Sequence, residues 1–325
     1  MSDLVQIIND NYGVKADSIE LISDHPGSKV YLVYSQAGKY ALKKTGLNNH
    51  GENDGELSEF LSRNGINVAK FLRTKTNSFA FCDEHFQYTL QTFIDGEQIP
   101  LNTASDWFLI KTAQTLGQIQ KVLRDYKQLN KAHWPGWLLS KDPVTQNEPV
   151  ITAKIDEAKS SGDTALATAL QERLKHIRRI SGFNIELDKL THVNSHGDFY
   201  INQTILKGDE LYVIDWDGGS NLPACNEVMM SFAYADPACK NGVIDINRFM
   251  PYLNEYLKYT ALTSYDIQAM PYFTYCYFCF CGFTPPYDDL SSDYLQIAIF
   301  SDKLMNWLYD NVDTLSVELV AKFQD

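Results

Sequence analysis

The segment His196-Gly197-Asp198-Phe199-Tyr200-Ile201-Asn202-Gln203, followed after one short hairpin by Val213-Ile214-Asp215-Trp216-Asp217, concentrates the side chains able to do chemistry. It sets an isolated carboxylate on a loop, amides a few residues later, and an acidic pair at the end of an apolar run. Phosphoryl transfer uses such a set: one carboxylate orients a hydroxyl, while amide and carboxylate oxygens hold magnesium on the nucleotide phosphates. Asp198 follows a glycine that permits a tight loop, and it needs only hydrogen-bond reach to an acceptor hydroxyl, not a raised pKa. The tripeptide alone would read as a turn cap; Asn202, Gln203 and the two acids move the reading toward a site. Asp215 ends the apolar run Leu211–Ile214, so a strand would carry it to a sheet edge, where a hard cation finds carboxylate oxygens. Asp217 would share its face in an extended chain, against the alternative of an acidic turn at Asp217-Gly218-Gly219.

These residues need elements to hold them. Leu4, Ile7 and Ile8 recur at helical spacing, and Ile19, Leu21 and Ile22 begin a strand. Turns at 24–28 and 36–39 separate it from Val30–Tyr34 and from Tyr40-Ala41-Leu42-Lys43, which predicts a hairpin sheet. Leu57, Phe60 and Leu61 give one apolar helix face between Asn53 and Arg63, and two more strands are predicted at Ser78–Cys82 and Gln87–Phe93. Beyond Ile94-Asp95-Gly96-Glu97 the pattern is mainly helical, so a lobe boundary is placed there, giving 1–94 and 95–325. Ser105 caps a helix, residues 128–150 read as loop, and polar helices are expected at 151–158 and 163–181. After the motif block, with strands at Thr204–Leu206 and Leu211–Asp215, helices are expected at 225–234, 247–261, 265–281 and, with breaks, 291–323.

With 325 residues the chain is long enough for two lobes. Its 28 basic against 41 acidic residues, net −13, argue against a broad surface for nucleic acid. Met1-Ser2-Asp3-Leu4 lacks a basic leader pattern and no apolar run reaches about twenty residues, so a cytoplasmic protein without a membrane partner is expected. Cys276 and Cys279 have a CxxC spacing, but with no second pair and no neighbouring His they read as buried thiols.

The order HGD, amide, then Ile-Asp-Trp-acid resembles the aminoglycoside phosphotransferase and choline kinase-like superfamily, whose fold is related to protein kinases. The run Gly38–Lys44 is further similar to its spore-coat kinase-like members. The resemblance implies an α+β, bilobal, protein kinase-like fold with a small antiparallel-sheet N-lobe and a larger, mainly helical C-lobe. It also implies an ATP- and Mg2+-dependent kinase that moves the γ-phosphoryl group to the hydroxyl of a small molecule, with an amine-bearing acceptor as one option. It makes Asp198 the catalytic carboxylate, His196 a brace of its loop and Asp215 a magnesium ligand, with Asp217 a second metal contact. The metal amide falls at Gln203, with Asn202 one residue early, and either oxygen can bind magnesium. Lys43 would hold the α- and β-phosphates, supported by a helix acid, for which Glu56 is chosen over Glu52 and Asp54. The turn Pro26-Gly27-Ser28-Lys29 would cover the phosphates through backbone N–H groups near Ser28, and adenine would lie against the backbone of Thr92, Phe93 and Ile94. Glu227, after Pro223, matches a structural acid. The aromatic run Tyr272–Phe278 with Asp288, Asp289 and Asp293 is a candidate amine pocket, against the alternative of helix packing. The departure at Gln203 and the glycine-poor turn also suit a catalytically silent kinase-like binding or scaffold protein.

Overall fold

The computed structural model describes residues 2–25, 27–47 and 50–324. They divide into two compact units: Met1–Ile99 with Asn202–Gly219, and Pro100–Ile201 with Ser220–Asp325. The hairpin that follows the motif loop returns to the first unit.

The first unit opens with α1 (Ser2–Tyr12), then β1 (Ala16–His25), β2 (Ser28–Ser35) and β3 (Gly38–Gly46). After α2 (Gly51–Arg63), β4 (Ala80–Cys82) and β5 (Phe86–Thr92) complete a five-stranded antiparallel sheet in the order β1-β2-β3-β5-β4. Alternation drives it: Val33, Leu42, Tyr88 and Leu90 point to one face and bury against Ile8, Tyr12 and Val14. The Tyr12 hydroxyl donates to the Tyr88 carbonyl at 2.6 Å, satisfying a polar atom inside that core. The helical spacing of Leu57 and Leu61 buries one side of α2, and Ser58 donates to the Ala69 carbonyl at 2.8 Å. Gly55 lets α2 close on the second face: a Cβ there would lie 2.3 Å from the Phe79 ring. The later segment adds the hairpin β7 (Thr204–Lys207) and β8 (Glu210–Val213), tied to the first stretch by bridges Glu97↔Leu206 and Val68↔Val213.

The second unit is helical: α3 (Asp106–Leu123), α4 (Trp134–Leu138), α5 (Asp142–Ser160), α6 (Thr164–Ile180), α7 (Ala224–Ala235), α8 (Ile246–Leu257), α9 (Ser264–Cys281) and α10 (Ser292–Gln324). Ser105 does cap α3, accepting from the Phe108 N–H at 3.2 Å. Two expectations are corrected. Residues 128–150 are not all loop, because α5 starts at Asp142 and carries Pro149 inside it, where the buried stripe Ile151, Ile155 and Ala158 outweighs one missing backbone bond. And α10 runs without a break, since no Gly or Pro interrupts its 33 residues and Leu304, Leu308, Val312, Leu315 and Leu319 hold one buried stripe. A short ladder, β6 (His192–Ser195) with β9 (Ser220–Pro223), was not visible in the sequence because each strand is four residues long.

The aromatic run of α9 is core: Phe273, Tyr275 and Phe278 are buried, whereas Asp288, Asp289 and Asp293 are exposed, so helix packing accounts for the run. Cys276 and Cys279 are buried thiols, and no helix among the described residues is long and apolar enough to cross a membrane.

Candidate active site

Strand pairing fixes the cluster of the first unit. Lys43 lies in β3 between Val30 of β2 and Thr89 of β5, and its side chain is only 15% exposed. Its Nζ donates to Asp215 Oδ1 and Asp217 Oδ2, each at 2.6 Å. Burial disfavours the charged lysine, but the two carboxylates outweigh it and the pKa is raised. Asp215 does not continue β8: it adopts a left-handed conformation (φ 62°, ψ 69°) and leads into a 3₁₀ turn, Trp216–Gly218. Aspartate tolerates that region better than most side chains. Trp216 is buried and the turn packs on α2, with Gly219 leaving room for Leu57. The expectation that the two acids share a face of an extended chain is therefore corrected: a bend aims both at one ammonium.

The helix acid beside this cluster is Asp54, not Glu56. The first turns of α2 bury Gly51, Asp54, Gly55 and Ser58, which turns Glu56 outward, where it is exposed. Asp54 is pushed up to about 7, chiefly by burial and then by the neighbouring Asp217 carboxylate, with Lys43 pulling the other way. Glu52 is engaged elsewhere: its Oε2 accepts from the Ser78 hydroxyl at 2.5 Å and the Phe79 N–H at 2.7 Å. Lys44, on the opposite strand face, has its ammonium 3.6 Å from the Phe86 ring centroid.

Asn202 and Gln203 end a 3₁₀ turn, Ile201–Gln203, and the Ile214 N–H donates to the Gln203 carbonyl at 3.0 Å, which sets Gln203 alongside the chain entering Asp215. The Asn202 carbonyl accepts from Gln98 Nε2 at 3.0 Å. Ser28 pairs with His25 across a two-residue connection in which Gly27 has φ 85°; Pro26 lies outside the described residues. At the end of β5 the Thr92 and Phe93 N–H groups donate to the Lys70 and Lys39 carbonyls, at 2.8 and 3.2 Å. Asp95, just beyond Ile94, is ion-paired to Lys39 at 2.9 Å.

The second unit holds Asp198, half-buried on the loop after β6. Gly197 has φ 85°, the conformation its missing Cβ allows. Glu227 of α7, fully buried, accepts from the N–H groups of Gly197 (2.8 Å) and Phe199 (3.1 Å), the two residues flanking Asp198. Gln120 Nε2 reaches Glu227 at 3.5 Å and Ser195 Oγ at 3.0 Å, while the Tyr256 hydroxyl donates to Gln120 Oε1 at 2.5 Å. His196 is fully buried with its ring against Phe199, and its Nδ1 lies 3.4 Å from the Asp198 N–H.

The donor chemistry around Lys43 suits a hard divalent cation: two carboxylate oxygens already converge on one cationic atom at 2.6 Å. Among the described residues no group of three or more His, Cys, Asp or Glu is placed to hold a metal ion. Such a pair suits a cation that takes its remaining ligands from amides and from nucleotide phosphates.

No family model matches the sequence, and no curated protein matches it. Solved structures do match. An amicoumacin kinase, solved with AMP-PNP and Ca2+, is 13% identical, with 96% of this chain and 93% of that one covered at a TM-score of 0.64. A microcompartment-associated aminopropanol kinase is 12% identical over 98% of this chain and 100% of that one, TM-score 0.63. An aminoglycoside phosphotransferase from Alicyclobacillus acidocaldarius subsp. acidocaldarius DSM 446 is 14% identical over 91% and 92%, TM-score 0.55. Along nearly its whole length, the chain shares its fold with these small-molecule kinases and phosphotransferases.

Proposed function

We propose that the chain is a phosphotransferase that uses ATP and Mg2+ to phosphorylate the hydroxyl of a small molecule. The observation that carries this reading is the meeting of Lys43 with Asp215 and Asp217, which stand 172 and 174 residues away in sequence. A nucleotide-handling lysine and two metal-type acids have little structural reason to be gathered so far apart in the chain and left partly open, the acids being 42% and 37% exposed. The shared fold with small-molecule kinases supports it.

In this reading Lys43 binds the α- and β-phosphates by its ammonium. Asp215 and Asp217, with Gln203 or Asn202, hold the magnesium ion, which when bound neutralises phosphate charge. The N–H groups of Thr92 and Phe93 are engaged in the sheet, so an adenine ring at this edge takes its hydrogen bonds from Ile94 and the chain beyond it. The turn before Ser28 covers the phosphates with backbone alone. Asp198 orients the acceptor hydroxyl and accepts its proton, held in place by the two flanking N–H groups on Glu227. The acceptor is a small molecule, and an amine-bearing one fits the acidic balance of the chain.

The test is ATP turnover against a panel of amino alcohols, amino sugars, sugars and hydroxy amino acids. Turnover should require Mg2+ and fall about 10²–10⁴-fold in Asp198→Ala, with an unchanged circular dichroism spectrum. A wild-type protein that shows no Mg2+-dependent thermal stabilisation by ADP would instead be a kinase-like binding protein.

A further inference from the structure

In the proposed reading Lys43 serves the phosphates and the two acids serve the metal, yet in the structure the lysine occupies the acids itself. The two sides of this contact differ in freedom. Asp215 and Asp217 are set by backbone: a left-handed residue, a 3₁₀ turn, and a buried Trp216 between them. Lys43 has a fixed backbone in the middle of a sheet but four rotatable side-chain bonds, so the ammonium is the part that can leave.

Leaving has a cost that depends on what is present. The lysine side chain is 15% exposed, so an ammonium drawn off the pair without a new anion would be left poorly solvated. A divalent ion arriving alone meets a positive charge on the very oxygens it needs. Nucleotide phosphates remove both obstacles, because they offer the ammonium a new anionic partner and add ligands for the metal.

Resting on the kinase reading, we infer that Lys43 is a built-in counter-ion that shields the Asp215 and Asp217 carboxylates from free divalent cations, so that metal and nucleotide bind as one coupled event. Coupling of this kind is reciprocal: whatever factor the nucleotide adds to metal affinity, the metal adds to nucleotide affinity. In functional terms the lysine screens out metal that does not arrive with a nucleotide.

Manganese reports on this directly, because free and bound Mn2+ are distinguished by electron paramagnetic resonance without any turnover. Mn2+ is titrated into wild type, Lys43→Met, Lys43→Gln and Lys43→Arg, and into Lys43→Met/Asp215→Asn, each checked for its fold by circular dichroism. Without nucleotide, Lys43→Met and Lys43→Gln should bind Mn2+ at least about tenfold more tightly than wild type, Lys43→Arg should match wild type, and the double variant should lose the gain. Equal Mn2+ affinity in wild type and either neutral variant overturns the inference, and the Gln variant carries the test if the Met variant does not fold. Wild type is also titrated with ADP and Mn2+ together. If it takes up that pair while the neutral variants show no gain, only the counter-ion role fails. If it takes up neither, the kinase reading itself fails.

Discussion

Glu227 shows how much one buried side chain can decide. A single carboxylate oxygen accepts the N–H groups on either side of Asp198, so the loop cannot rotate about that residue without leaving a buried donor unsatisfied. The other oxygen faces Gln120, which Tyr256 and Ser195 hold in turn, so the brace is anchored to three other stretches of chain. Glu227→Ala should cost about 2–6 kcal/mol of stability, from two buried donors losing their acceptor at about 1–3 kcal/mol each. Activity should fall further than stability explains, whereas Glu227→Gln, which keeps an acceptor oxygen, should recover most of the fold. Chemical denaturation and turnover measured on the same preparations check both statements. The residues proposed to carry chemistry stand out in the sequence because they cluster in one short block; the brace is visible there only as a position after Pro223, since what it holds is backbone and leaves no side-chain signature.

At the scale of elements, the helical unit contains a pH-sensitive joint. His176 of α6 is buried between α9 and α10, its Nδ1 2.6 Å from the Tyr275 hydroxyl and its Nε2 3.0 Å from Asn306 Oδ1. Asn306 Oδ1 is an acceptor, so Nε2 carries the proton and Nδ1 accepts from the tyrosine. Burial, with Arg173 and Lys175 adding to it against a smaller opposite pull from Asn306, lowers the histidine pKa below its ordinary 6.5. The unfolded chain then binds the proton more readily than the folded one. This contribution is whole above the ordinary value and is lost as pH falls through it. Because Asp54, raised to about 7, pulls the profile the other way over the same range, the contribution is read as a difference: the thermal midpoint of wild type should fall relative to that of His176→Gln between about pH 7 and about pH 5. The long periodic elements were legible in sequence, Ser105 with its helix and the hairpin ending at Lys43 among them. The misses have physical causes: α5 overrode its own proline through a buried stripe, and β6 and β9 are defined by pairing with each other and not by any local pattern.

At the scale of the whole molecule, the first unit is discontinuous in sequence. Its sheet lies in residues up to 99, but the hairpin β7–β8 and the acids that bind Lys43 come from Asn202–Gly219. A fragment of residues 1–99 should therefore fail to fold cooperatively: it loses the bridges at Val68 and Glu97, the packing of α2 on the 3₁₀ turn, and both anions facing a largely buried ammonium. A thermal melt of that fragment, compared with the full chain, checks this. A single boundary drawn from pattern could not show the return, because a crossing of the chain is a matter of topology and changes neither composition nor period. The same crossing sets a timetable during synthesis. A nascent chain emerging from the ribosome exposes Lys43 long before Asp215 and Asp217 exist, so the amino-terminal unit must wait, incomplete, until more than a hundred residues of its neighbour have been made.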